Sequence, residues 1–363
     1  WEQAGEQAQN GADYRMDPTG NYTVFTAKGL AKIANIINKG DSFEGKTITL
    51  ANDVDLLDGG VYQYAESTVV GRNSWIPISG FAGVFDGGGH KISHLYIQAK
   101  DKNAGLFDSN LGTIKNLEIA SGKIAINKLS HAGLCVGAIA AITVGTIDNC
   151  INRADIYVHD TNEIETSQRN TIYLGGITGA VDTAQTSTTT SIVSNCTNYG
   201  SVSNLGKSVC GVSGGGIAGY LFSGILVGHK SLVTNCVNEG AVSVPNGNAW
   251  AGGIAGTVKG QTVDITATVS NCENNGLISS GFIAGGIAGY NSGLGGAYVY
   301  NCYNTGNIAG DTDAGGIVGL HYYSNAEISN CYNRGLVSDD AQNAGGIVGL
   351  AAYAKQSNCY YIA

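Results

Sequence analysis

Short runs of Val, Ile, Ala and Tyr, interrupted every few residues by Gly and Asn, fill most of this chain, and they are too short for a helical period to develop. Runs of about 4–6 such residues between tight turns read as β-strands. One stretch departs from this pattern. Between Thr26 and Ile37, Leu30, Ile33, Ala34 and Ile37 fall on one helical face and Thr26 can cap it, which predicts a helix over about residues 27–38.

The strand pattern repeats. Asn-Cys pairs stand at Cys150, Cys196, Cys236, Cys272, Cys302, Cys331 and Cys359, mostly within Asn-Cys-x-Asn, and Gly-Gly-Ile-x-Gly motifs begin at Gly175, Gly215, Gly252, Gly285, Gly315 and Gly345. Self-similarity at a period of roughly 20–50 residues is the mark of a solenoid, propeller or array. The Cys-to-Cys spacing shrinks steadily toward the C-terminus, so a constant unit carries an insert of falling length. After Cys196, Cys236, Cys272, Cys302 and Cys331 comes an Asn-x-Gly turn, as in Asn198-Tyr199-Gly200 and Asn274-Asn275-Gly276, whose middle residue varies freely and so points to solvent. Asn and Gly there are expected to supply left-handed backbone.

Coils of this kind stacked in register give an all-β, parallel β-helix solenoid, expected to be right-handed. Roughly ten coils at about 4.8 Å each make a rod about 50 Å long. The repeated Cys forms an inward ladder flanked by an Asn ladder whose amides can bond from coil to coil. The inserts, such as Asp182 to Ser191 and Phe222 to Ser231, are expected to project from one side.

Composition narrows the classes. The chain has 55 Gly, only 3 Pro, 43% hydrophobic and 13% charged residues, which suits a turn-dense fold with a narrow core and every strand group in a ladder. A net charge of −9 argues against nucleic acid or an anionic membrane as partner. The uncharged stretch Ala132 to Ile147 is shorter than the roughly 20 residues of a membrane span. Residues 1–21 are polar and read as a flexible lead-in after processing. Residues 22–74 form an N-terminal cap whose helix covers an open sheet edge, and residues 75–363 form one continuous β-helix.

Thr47-Ile48-Thr49-Leu50-Ala51-Asn52-Asp53-Val54, Trp75-Ile76-Pro77-Ile78 and Phe85-Asp86-Gly87-Gly88-Gly89-His90-Lys91-Ile92 together resemble the opening of bacterial surface proteins that carry GLUG-motif repeats. The Gly-Gly-Ile-x-Gly units resemble the repeats themselves, with Ala104-Gly105-Leu106-Phe107 and Ala132-Gly133-Leu134-Cys135 as degenerate early copies. The resemblance covers nearly the whole chain from Tyr22. It implies a secreted or cell-surface adhesin-like module that binds or presents a ligand, not an enzyme. The partner would be a host protein, a glycan or other domains of the same surface protein.

Candidate chemistry is sparse. His90 and His94 have metal spacing only on a helix; on a strand they stand about 13 Å apart. Asp53 with Asp55, or Asp311 with Asp313, could contribute to a calcium site or merely cap turns, and no EF-hand-type loop is present. The ladder cysteines Cys150, Cys196, Cys236, Cys272, Cys302, Cys331 and Cys359 are expected to be free buried thiols, because stacked side chains in parallel strands point the same way. Cys135 and Cys210 stand outside the ladder. No cofactor is expected. A carbohydrate-active β-helix enzyme would need carboxylates about 5–9 Å apart on one face, and a passive stalk is the third possibility. The residue after the ladder Cys should point outward, so Tyr303, Tyr332 and Tyr360 are expected to form an external aromatic column that suits a sugar ring or a protein partner.

Overall fold

Each turn of the chain lays strands into five separate sheets and then returns to the first. One coil runs through Thr146–Asp148, Ile151–Asn152, Asp155–Val158, Ile172–Gly175 and Thr178–Asp182. The next opens with Ser191–Ser194, paired in parallel with Thr146–Asp148. In this order the five sheets hold 12, 10, 7, 7 and 8 strands. The computed structural model describes residues 1–57, 74–100, 102–128, 133–158, 171–182, 190–205, 211–224, 228–246, 248–261, 265–353 and 355–362. Cys210 and most of the Asp182 to Ser191 insert lie outside the described residues. The protein is therefore nearly all-β, with long parallel sheets in a β-helix-like solenoid.

The coils stay in register because the same residue types meet at each level. Gly137, Gly175, Gly215, Gly252, Gly285, Gly315 and Gly345 pair successively down the fourth sheet. The early copy expected at Ala132–Cys135 is thus displaced: the segment aligned with Gly175-Gly176-Ile177 is Gly137-Ala138-Ile139, which keeps the first Gly and the Ile but has Ala for the second Gly. Inside, Ile177, Ile217, Ile254, Ile287 and Ile317 are fully buried, as are Val193, Val233, Val269 and Val299.

Two asparagine ladders run along the rod. The inner one consists of Asn152, Asn198, Asn238, Asn274, Asn304 and Asn333, all buried. Each Nδ2 donates to the Oδ1 of the next coil's Asn at 2.7–2.9 Å and also to the carbonyl two residues on, such as Gly200 at 2.8 Å. Asn333, the last, donates to the Gly346 carbonyl at 3.0 Å. The outer ladder precedes the cysteines. Here the donors point back down the chain, from Asn149 to Asn116, Asn235 to Asn195, Asn301 to Asn271, Asn330 to Asn301 and Asn358 to Asn330.

This corrects the expected turn chemistry. The left-handed residues are Asn149, Asn195, Asn235, Asn271, Asn301, Asn330 and Asn358, with φ of 50–54°, at the corner before each Cys. The Asn of Asn-x-Gly lies in a strand and uses its amide to satisfy the turn. Its Gly is required for close approach, since a Cβ on Gly240 would stand 2.0 Å from the Gly200 carbonyl oxygen.

The N-terminus also differs from expectation. Residues 1–21 are folded: α1 (Glu2–Glu6) lies on α2 (Ala27–Asn38), with Asn35 Nδ2 donating to the Glu2 carbonyl at 2.8 Å. Trp1 meets Trp75 edge-on at 5.3 Å, and Tyr14–Met16 pairs antiparallel with Tyr22–Val24. Apolar contacts of Trp1 and Tyr14 hold down a segment that its polar composition had suggested was loose. In α2, Thr26 caps the first turn by accepting from Gly29 N at 3.2 Å. Parallel stacking begins with Tyr22–Val24 on Thr47–Leu50 and continues to Val84–Asp86, so the first sheet crosses the expected boundary at residue 75 without a break.

Candidate functional site

The core changes composition along its length, and this sorts the aromatic side chains. Phe43, Trp75, Phe81, Phe85 and Phe107 are fully buried in the first coils. From residue 108 onward no Phe, Tyr or Trp side chain is buried; from Tyr157 to Tyr361 all lie on the outside, half-buried or exposed. A coil whose interior is filled by Cys, Val, Ile, Ala and an Asn ladder admits the small imidazoles of His229 and His321 but leaves no volume for a phenyl, phenol or indole ring. The aromatic content of the later coils is therefore entirely a surface property.

These rings adopt two arrangements. Some stack on one another: Tyr303 on its register neighbour Tyr332 at 5.3 Å and 3°, Tyr173 on Tyr220 of the adjoining sheet at 4.6 Å and 17°, and Tyr220 on Phe222 of its own strand at 5.4 Å and 9°. The in-register column that contains Tyr303, Tyr332 and Tyr360 reads Glu118, Ile151, Thr197, Val237, Glu273 in earlier coils, so its outward direction is as expected. The stacked faces of Tyr303 and Tyr332 are turned toward each other, however, so one face of each ring is closed to a ligand. Tyr360 is two-thirds exposed.

The second arrangement is at the turn from the fifth sheet back to the first in the last two coils. Tyr323 and Tyr353 have φ of 76° and 63°, a conformation that disfavours any side chain with a Cβ, and both are exposed, Tyr353 at 84%. Tyr323 also meets Tyr322 edge-on at 4.4 Å. Immediately beside this turn lies a shallow pocket lined by Gly296, Tyr298, Ser324, Asn325, Ala326, Glu327 and Lys355. Tyr298, Glu327 and Lys355 are register neighbours on adjacent strands of the first sheet. The phenol end of Tyr298 rests on Gly296, where a Cβ would lie 2.5 Å from the ring.

The sequence reading missed this site. Its signal was present: the insert that fills this turn in earlier coils shrinks to almost nothing, and a Tyr replaces it twice, in His321-Tyr322-Tyr323 and Ala351-Ala352-Tyr353.

The acidic pairs are not brought together. Asp53 Oδ1 contacts His90 Nδ1 at 3.2 Å and accepts from Lys91 N at 3.1 Å, which holds its carboxyl below the usual range, the backbone bond from Lys91 first. Asp55 contacts His94 Nδ1 at 2.8 Å. The two carboxylates and two histidines thus form two separate pairs on the first coils. Asp313 is buried and accepts from Asn343 Nδ2 at 2.7 Å, whereas Asp311 is exposed. Among the described residues no three His, Cys, Asp or Glu side chains converge as metal ligands.

Cys150, Cys196, Cys236, Cys272, Cys302, Cys331 and Cys359 form a column of free thiols, buried except for Cys359. Cys135 is also buried, in a small cluster with Ala141 and Ala180 between the fourth and fifth sheets. Each ladder Sγ–H points at the carbonyl two residues back, as in Cys272 to Ser270 at 3.1 Å. Burial pushes the Cys196 and Cys272 thiols well above their ordinary range. No helix is long and apolar enough to cross a membrane among the described residues.

No family model and no curated protein matches this chain. Among solved structures it is similar to a protein from Bacteroides ovatus described as a "putative immunoglobulin A1 protease", with 16% identity and a TM-score of 0.50 over 96% of this chain and 86% of that one. At that identity the likeness is one of fold.

Proposed function

We propose that this chain is an extracellular adhesin-like module of a bacterial surface protein: a rigid parallel β-helix, wound in the right-handed sense usual for parallel crossovers, that presents its outer side chains to a ligand. The observation that carries this reading is the exclusion of every Phe, Tyr and Trp side chain after Phe107 from the core. Aromatic residues left on a monomer surface are the usual anchors of recognition, since they offer large, stiff contact area with a polar tip. The scaffold supports the role. A register fixed by the Gly, Cys and Asn columns lets outward positions vary from Glu to Val to Tyr without cost to the interior.

Catalysis has less to stand on. Of the surface carboxylates, Glu118 is bound by Lys91 and Arg153, Asp86 by Lys115, and Asp53 and Asp55 by histidines. Binding of the purified chain to immobilised host cells, mucin and serum proteins tests the proposal. Retention on at least one of them is expected, and passage over all of them would favour the passive stalk.

A further inference from the structure

Resting on that reading, we infer that the pocket between Tyr298, Glu327 and Lys355, flanked by Tyr323 and Tyr353, is a saccharide-binding site. Tyr323 and Tyr353 hold left-handed backbone that glycine would adopt freely, yet both positions carry a large ring and place it in solvent. A fold that uses 55 glycines, many at points of close backbone approach, keeps tyrosine at these two turns.

The pocket beside them joins the two chemistries that a pyranose needs. Tyr298 supplies an aromatic surface for the C–H face; unlike Tyr303 or Tyr173 it has no aromatic partner among the described residues. Around it Glu327 accepts, Lys355 donates, and the Asn325 amide and Ser324 hydroxyl can do either. Opposite charges on adjacent strands suit a neutral or amino-sugar ring better than a polyanion. A peptide added as a β-strand would need free backbone groups. The strands bearing Tyr298 and Glu327 are already paired on both sides, so recognition here is by side chains.

The full chain is applied to a microarray of neutral, acidic and amino-sugar oligosaccharides, beside three variants. Tyr323→Gly with Tyr353→Gly removes the rings at positions where glycine relieves strain, so binding should fall at least about tenfold with no loss of melting temperature. Gly296→Ala deletes no functional group but displaces the Tyr298 phenol, and it should weaken the same oligosaccharides. Tyr303→Ser with Tyr332→Ser should leave them bound.

Several outcomes would overturn the inference. Undiminished binding by the double glycine variant places the site elsewhere. A melting temperature that falls with binding makes the two tyrosines structural. If the chain is retained by protein or cells but by no saccharide, the ligand class is wrong while the binding reading stands. Retention on nothing at all removes both.

Discussion

A Cβ on Gly216 would stand 2.2 Å from Cγ of Asn238, the buried asparagine one coil further on. The same relation holds for Gly176 with Asn198 and Gly253 with Asn274. The second glycine of Gly-Gly-Ile-x-Gly is thus the space in which the next Asn-Cys-x-Asn keeps its amide, which is why the two motifs travel together. Gly216→Ala should destabilise the fold by about 3 kcal/mol, because the new methyl also meets the Gly253 carbonyl and backbone must move. Asn238→Ala should cost about 2–3 kcal/mol by leaving Asn198 and Asn274 each short of one buried bond. Since the second change vacates the site of the clash, urea melts of the double variant should show less than the sum, by about 1 kcal/mol or more.

The ladder thiols make a second test. Cys272→Ala should lower stability by only about 1 kcal/mol, as a small cavity does. In a Cys210→Ser background, a bulky thiol reagent should modify Cys359, the one half-buried member of the column, and reach the others only after denaturation. Burial raises the Cys196 and Cys272 thiols, so raising the pH to 8.5 should not open them. Rapid native labelling of Cys272 would mean that the coils breathe apart.

How much of this was legible in the sequence depends on the kind of constraint. The repeat, the helix over Ala27–Asn38 and the inward cysteines are periodic features, so spacing alone carried them. The left-handed asparagines were assigned to the wrong Asn of each pair, because composition cannot say which of two asparagines turns and which bonds its neighbour. The folded N-terminus was missed because Trp1 acts through a distant partner, Trp75. The Tyr298 pocket forms only when three strands far apart in the chain become adjacent.

His321 links the last coils to pH. It is fully buried in the column Val181, Leu221, Val258, Asn291, where Asn291 Nδ2 donates to its Nδ1 and its Nε2 donates to the Lys355 carbonyl, both at 3.2 Å. Burial lowers its pKa below the ordinary 6.5. The folded state therefore holds it neutral while the unfolded chain takes up a proton, so its contribution is complete above pH 6.5 and is lost as pH falls below that value. Melting temperature should drop by a few degrees between pH 7 and pH 5. His321→Val, which restores the residue type found two coils earlier at Val258, should flatten that drop. An unchanged slope between pH 7 and pH 5 would show that His321 is not the source of the drop; the lowered carboxyls of Asp53 and Asp86 act only below about pH 4, outside that window.

The stack of Tyr303 on Tyr332 decides between two uses of surface aromatics. Rings 5.3 Å apart and within 3° of parallel have turned their flat surfaces to each other, so their contribution is to hold successive coils in register. Replacing Tyr332 by Ser should cost about 1 kcal/mol, the usual worth of an aromatic pair, and should lower the melting temperature of the last coils as read by amide exchange. Ligand binding should survive, because the face that each of these rings gives to the other is closed to a partner. Tyr353, 84% exposed, has the opposite balance: its loss to Gly should spare the melt and weaken binding. Reversal of the two results, with Tyr332→Ser silent in the melt and damaging to binding, would move the recognition surface from the turn at Tyr323 and Tyr353 to the sheet that carries Tyr303.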